Sequence, residues 1–242
     1  VNISLVFITF VSVIMPKILV CAPTNKVKGY CQFRWIDQIK NLQYPNYQIF
    51  LSDNTKDDDF SMEIKSYDIE VGRVNPDRKS NPEYMAESHE QCRKKALEIG
   101  ADYILHWEVD LFTDNKNIIQ HLLKHNKPVV GGIYHIGQGR ESYLCLIKKH
   151  HNHPKEPIST FPMKRGSDLL VIDGGLVEVF SMGLGCTLIH KSVFSQIPFR
   201  HDIEQRFHPD SSFYEDLYFK GIKAYADTSL LLKHENSRWL MY

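Results

Sequence analysis

An α/β fold with a largely parallel sheet is what this sequence predicts, on three observations. Short apolar runs alternate with stretches of helical periodicity from Lys17 to Tyr134. Each apolar run ends abruptly in polar residues, as strands do where a sheet opens into ligand loops. The clearest helix is framed by Asn81-Pro82 at its start and Gly100 at its end.

Lys17–Cys21 is a continuous apolar run, the pattern of a buried parallel strand. Ala22–Gly29 follows as a polar loop. From Tyr30 to Leu42, Trp35, Ile36, Ile39 and Leu42 recur at helical spacing. Tyr47–Leu51 is a second strand that runs into Ser52-Asp53-Asn54, and Asp57–Asp59 reads as a solvated acidic loop. Tyr67–Val71 is a third strand, and Asn75–Pro82 is rich in turn formers. In the helix after Asn81, Met85, His89, Cys92, Ala96 and Ile99 share one face. Asp102–Trp107 is a strand that leads into Glu108-Val109-Asp110. Asn115–His125 is a helix and Pro128–Tyr134 a strand. Beyond this point the pattern loosens. Ser142–Lys149 and Asp168–Ile172 read as strands around a Pro- and His-rich loop, His150–Pro162. Val177–His190 contains Met182-Gly183-Leu184-Gly185 before an apolar run. Ser211–Lys220 is a short helix, and Lys223–Asp227 and Leu230–His234 are closing strands.

The 242 residues suit one domain, and 43% hydrophobic with 12% aromatic content supports a sizeable core. Lys plus Arg (29) equals Asp plus Glu (29), which argues against a dedicated nucleic-acid binder. Five scattered cysteines without a CxxC pair point to reduced thiols and a cytoplasmic location rather than a disulfide framework. Residues 1–14 form an apolar extension shorter than the roughly 20 residues that span a bilayer. Two readings of it stand: Met15 is the natural start, or the segment is a short membrane anchor or damaged signal peptide.

Three elements carry chemistry. Glu108-x-Asp110 sits where an apolar strand ends; on an extended chain both carboxylates point one way and repel unless a cation lies between them. An ordinary polar strand end gives the same pattern. Glu215-Asp216 lies in a short amphipathic helix, where helix capping is the simpler account. His234 closes the run Leu230-Leu231-Leu232, where a core histidine is the simpler account.

In order, these elements resemble the GT-A-fold glycosyltransferases, family-2-like. The likeness runs from Met15 to about Glu235. Its carriers are Ile18–Asn25, Phe50–Asn54, Tyr103–Asp110, Gly183–Ile189, Tyr214–Leu217 and Ala224–His234. The resemblance implies a Rossmann-like nucleotide-sugar half (15–135), with a mixed, mainly parallel sheet, merged with an acceptor and catalytic half (136–242). It implies that Pro23, Thr24 and Asn25 line the nucleotide pocket and that Asp53 hydrogen-bonds the base. Asp110, His234 and Glu108 would hold Mn²⁺ or Mg²⁺, with Glu108 also near the donor ribose. Asp216 matches the base of inverting members, Glu215 lies beside it for acceptor binding, and Gly183 and Gly185 match a loop below the acceptor. The family usually has aspartate where Glu108 stands, which leaves the contact made by Glu108 open. The implied partners are a nucleotide-sugar donor and a carbohydrate or other hydroxyl acceptor. A metal-dependent nucleotidyltransferase and an inactive carbohydrate-binding relative are the competing readings. The first would ordinarily show a glycine-rich basic loop, and Ala22–Gly29 holds one glycine.

Two weaker signals remain. His150-His151-Asn152-His153 lacks a spaced partner for zinc and reads as an exposed loop. His121 and His125 are four apart on a helix, but no HExxH glutamate accompanies them, so core or surface histidines are expected.

Overall fold

A computed structural model of the chain describes residues 15–74, 80–136, 143–144, 146–147, 174–201 and 208–235. The apolar extension 1–14, the loop 150–162 and the strand expected over 168–172 lie outside the described residues.

The first half is built from β1 (Ile18–Thr24), α1 (Gly29–Lys40), β2 (Tyr47–Asp53), α2 (Asp59–Lys65), β3 (Glu70–Arg73), α3 (Asn81–Glu98) and β4 (Tyr103–Trp107). Strand β1 pairs in parallel with β2 on one side (Ile18 opposite Tyr47) and β4 on the other (Ile18 opposite Tyr103). The alternation of a pleated strand divides its side chains between two layers. Ile18, Val20 and Ala22 join Trp35, Ile36 and Ile39 of α1, while Leu19 and Cys21 join Cys92 and Ala96 of α3. Fully burying such a side chain contributes about 1.5–3 kcal/mol, so a strand covered on both faces anchors the fold.

The chain then runs through β5 (Leu111–Phe112), α4 (Ile118–Leu123) and β6 (Val129–Ile136). The short strands β7 (Tyr143–Leu144), β8 (Leu146–Ile147), β9 (Leu176–Val179) and β10 (Ser181–Met182) follow. The last elements are β11 (Cys186–His190), α5 (Lys191–Phe194), α6 (Pro209–Phe219) and β12 (Ala224–His234). The main sheet has the order β3-β2-β1-β4-β11-β6-β12-β5. Its first four strands are parallel, β11 is antiparallel to both neighbours, and β12 runs parallel to β6 but antiparallel to β5 and β9. The sheet is mixed, with helices on both faces.

Several local expectations change, among them that the strand expected over Tyr67–Val71 is β3, Glu70–Arg73. The acidic stretch before Phe60 opens α2, because Phe60 and Ile64 bury one face of that turn. The two expected closing strands are one strand with a register shift between Asp227 and Leu231. Helix α6 begins at Pro209, two residues before the expected start; proline at the first helical position is the signal for it.

Candidate active site

Strand β4 stops at Trp107 and the chain turns at once, with the Leu111 N–H donating to the Glu108 carbonyl at 3.0 Å. Glu108-Val109-Asp110 is therefore a turn, not the extended segment expected. Its carboxylates converge through that turn rather than through strand alternation. Two further bonds hold it: Trp107 Nε1–H donates to the Leu111 carbonyl at 2.9 Å, and Glu108 N–H to the Gly185 carbonyl at 2.7 Å. A side chain at Gly185 would collide with Leu111 and come within 2.7 Å of the Tyr134 ring, so only glycine lets this loop underlie the acids. Gly183 lies in the same loop, its carbonyl accepting from Thr187 Oγ1–H at 3.1 Å.

Strand β12 delivers His234 to the same turn. His234 pairs with Leu111 across the β12–β5 ladder, and Glu235 N–H donates to the Asp110 carbonyl at 2.8 Å. The His135 carbonyl accepts from His234 Nδ1 at 2.8 Å, so Nδ1 carries a proton. In the neutral ring the Nε2 lone pair then faces Asp110, with Nε2 3.4 Å from Oδ2. One ligand atom each from Glu108, Asp110 and His234 lies within 4.8 Å of the others.

The electrostatics of this group favour a cation. Asp110 is 1% exposed, and its Oδ1 has no hydrogen-bond partner. An unpartnered buried carboxylate oxygen is costly, and a bound ion is one of its standard explanations. The other oxygen is paired with Lys28 Nζ. Burial raises the Asp110 carboxyl, but His234 and Lys28 together outweigh it and hold the group below its ordinary range. Glu108 goes the other way, pushed up to about 7 by burial and then by the negative charges of Asp110 and Asp210. Two carboxylates and an imidazole suit Mn²⁺, and two carboxylates alone suit Mg²⁺.

The third acid of this cluster, Asp210, was not anticipated. It lies in the first turn of α6 and close enough to Glu108 to raise it. Its Oδ2 accepts from Leu184 N–H at 3.2 Å, and its Oδ1 is 3.0 Å from His208 Nδ1. Burial raises its carboxyl, yet His208, His89 and the Leu184 N–H bring it down to about 2, so it is ionised at neutral pH. Behind it, His89 is 1% exposed with neither ring nitrogen hydrogen-bonded; burial pushes its pKa down to about 4.

Asp216, two turns further along α6, is gripped by Arg200, whose Nε–H and Nη2–H donate to its two oxygens at 3.0 and 2.9 Å. Glu215 lies 3.9 Å from the same guanidinium. Arg200 therefore faces both acids from outside α6.

The loop after β1 is fastened to the end of β2. Pro23 and Thr24 are buried, and the Thr24 carbonyl accepts from Asn54 N–H at 3.1 Å. Asn25 caps the following 3₁₀ turn, Lys26–Lys28, its Oδ1 accepting from Val27 N–H at 3.0 Å. That turn aims Lys28 at Asp110. Asp53 is fully buried; its Oδ1 accepts from Thr55 N–H (2.9 Å) and Oγ1–H (2.6 Å), and its Oδ2 pairs with Arg73. Its carboxylate holds this loop in shape. The adjacent Asn25–Asn54 pair, with Nδ2 to Oδ1 at 2.5 Å, is more accessible. No helix among the described residues is long and apolar enough to cross a membrane.

No protein-family model matches this sequence, and no curated protein does. Solved structures do match by shape. A197 from STIV is 18% identical with a TM-score of 0.51, over 91% of this chain and 86% of that one. TarS residues 1–349 from S. aureus, solved with UDP-GlcNAc, is 10% identical with a TM-score of 0.57, over 91% of this chain. The mannosyltransferase PcManGT from Pyrobaculum calidifontis, solved with GDP-Man and Mn²⁺, is 11% identical with a TM-score of 0.56, over 90% of this chain. This chain spans 59% of that TarS chain and 56% of that mannosyltransferase. With helices on both faces of a mixed sheet and the acid turn at the end of its fourth strand, the chain has the GT-A-like fold of glycosyltransferases.

Proposed function

We propose that this protein is a metal-dependent glycosyltransferase that moves a sugar from a nucleoside-diphosphate sugar to an acceptor hydroxyl. The observation that carries this reading is the convergence of Glu108, Asp110 and His234 beside an orphaned, buried Asp110 Oδ1. The structural neighbours support it, since TarS was solved with UDP-GlcNAc and PcManGT with GDP-Man and Mn²⁺. Asp110 and His234, with Glu108, would hold Mn²⁺ or Mg²⁺, which when bound offsets the negative charge of a departing diphosphate.

The chain's own residues supply the rest. Pro23, Thr24 and Asn25 form the wall against which the nucleotide packs, with Asp53 behind it as the base contact or its support. Lys28 releases Asp110 and turns toward the donor phosphates. An ionised carboxylate accepts the acceptor's proton as its oxygen attacks the anomeric carbon and the carbon–oxygen bond to diphosphate breaks. In-line attack inverts the sugar. Asp216, expected from the sequence to be that base, keeps Glu215 beside it on the acceptor side. We assign the base to Asp210 instead, because it bonds the same loop as Glu108 (Asp210 takes the Leu184 N–H while Glu108 N–H donates to the Gly185 carbonyl), whereas both oxygens of Asp216 are tied to Arg200. Gly183 and Gly185 keep the floor beneath the acceptor free of side chains.

The test is release of nucleoside diphosphate from a panel of nucleotide sugars, with Mn²⁺, with Mg²⁺ and with EDTA. Turnover with a cation and none with EDTA is the expected result. Failure of every nucleotide sugar to bind, with or without metal, would replace this reading with that of an inactive carbohydrate-binding relative.

A further inference from the structure

The two histidines of α4 find a partner that sequence spacing alone does not reveal. His121 and His125 lie one helical turn apart and so share a face. That face meets β12 where its register shifts. There Asp227 Oδ2 lies 2.7 Å from His121 Nε2 and 2.5 Å from His125 Nε2. The other carboxylate oxygen, Oδ1, accepts from Ser229 N–H at 3.0 Å and Ser229 Oγ–H at 2.5 Å, which fixes the orientation of the group. Asp227 is 3% exposed at its side chain, whereas His121 and His125 are 23% and 16% exposed. The cluster thus has a buried carboxylate and an imidazole edge open to solvent.

We propose that His121, His125 and Asp227 form a second metal site, selective for a borderline transition cation such as Zn²⁺. Two imidazole nitrogens and one carboxylate oxygen are a recurrent three-ligand zinc set, and solvent can supply a fourth ligand. The ligand atoms are already within 4.8 Å of one another. A cation needs the Nδ1–H tautomers and an outward shift of the two rings. Ligand atoms about 2.0–2.1 Å from a tetrahedral zinc lie roughly 3.3 Å apart, whereas the two Nε2 atoms are hydrogen-bonded to Oδ2 at 2.7 and 2.5 Å. The exposed side of the rings leaves room for that shift, and exposed Lys124, whose Nζ is 3.5 Å from His121 Nδ1, can swing away. The ion would clamp α4 to β12, the strand that carries His234. This site does not depend on the proposed activity.

The test uses the full chain carrying Asp110→Asn, which disables the acid-turn site in every arm. Equilibrium dialysis with Zn²⁺ should find one tight equivalent, and Zn²⁺ should raise the melting temperature. Co²⁺ should give the intense visible bands of a tetrahedral N/O site. His121→Gln and His125→Gln should each weaken Zn²⁺ by at least about 100-fold, since even outer-shell losses cost about 10–100-fold. No tight equivalent, or an equivalent that survives both substitutions, overturns the proposal. So does thiolate-to-cobalt charge transfer, which would place the ion at the fully buried Cys21, Cys92 and His106. If the glutamine variants do not fold, carbethoxylation of the Asp110→Asn chain decides. Zn²⁺ must shield His121 and His125 from the reagent, and equal labelling with and without Zn²⁺ overturns the proposal.

Discussion

Strand β12 carries a carboxylate–imidazole cluster at each end, and the two differ in what surrounds the carboxylate. At its C-terminal end His234 meets Asp110 in an acid-rich pocket. There Glu108 is driven to about 7, and Lys28 pairs with Asp110 Oδ2. Seven residues earlier (234 − 227), Asp227 meets two histidines and no second acid among the described residues. Seven strand residues span roughly 20 Å, so the clusters are separate sites. The first has surplus negative charge and an orphaned oxygen, a balance that a bound cation would offset. The second has its carboxylate saturated by Ser229 and two imidazoles, as a static tie between helix and strand needs. The same residue types do different work because the local charge balance differs.

The largest test of that difference is a crossed pair of substitutions. Asp110→Asn should cut sugar transfer by about 10⁴-fold or more, the several kcal/mol that charge neutralisation by a metal supplies. The double variant His121→Gln/His125→Gln should leave turnover within about twofold while losing thermal stability in the presence of Zn²⁺. Steady-state rates and melting curves on the two variants read both. Equal losses of activity would mean the two clusters act as one functional unit.

A smaller effect separates the two ends of α6. Asp210→Asn should lower kcat by about 10³-fold with donor binding kept, within the range expected for loss of a general base. Asp216→Asn should cost about tenfold or less, through a looser Arg200. The reverse pattern would return the base to Asp216 and make Asp210 a structural partner of His208 and Leu184.

That choice shows where sequence reading succeeded and where it stopped. The first half was legible because its strands are short, continuous apolar runs and its helices carry periodic faces and caps. Glu108, Asp110 and His234 were legible because each stands where an apolar run ends. Their convergence was expected only through the family resemblance and not from the residues themselves, because it depends on His234 pairing with Leu111 across 123 positions (234 − 111). Asp210 was missed because the helix start was placed at Ser211, although Pro209 marks it. Lys28 lay in a loop with no periodicity to say where it points. His121 and His125 were seen, but their carboxylate partner comes from 102 residues beyond the nearer one. In the second half the strands before β12 are short and pair antiparallel with their neighbours, and two-residue strands leave no pattern to read.

The smallest effect concerns Lys28, which makes the active cluster switchable where the other is fixed. Its ammonium sits on Asp110 Oδ2 and is raised above its ordinary pKa; burial opposes that shift, but Asp110 outweighs it. A cation entering the site competes with this lysine for the same oxygen. Lys28→Met should therefore tighten Mn²⁺ binding to the donor-free protein by about tenfold, or about 1.4 kcal/mol. That is modest because Lys28 is 37% exposed and regains hydration when it leaves. With donor present the sign should reverse, since the lysine freed from Asp110 would be available to the diphosphate, and donor KM should rise. Calorimetric titration of Mn²⁺ with and without nucleoside diphosphate measures both. Mn²⁺ affinity that is unchanged or weaker in the donor-free variant would show that Lys28 does not stand in for the cation, and the contrast between a switchable and a fixed cluster would fail.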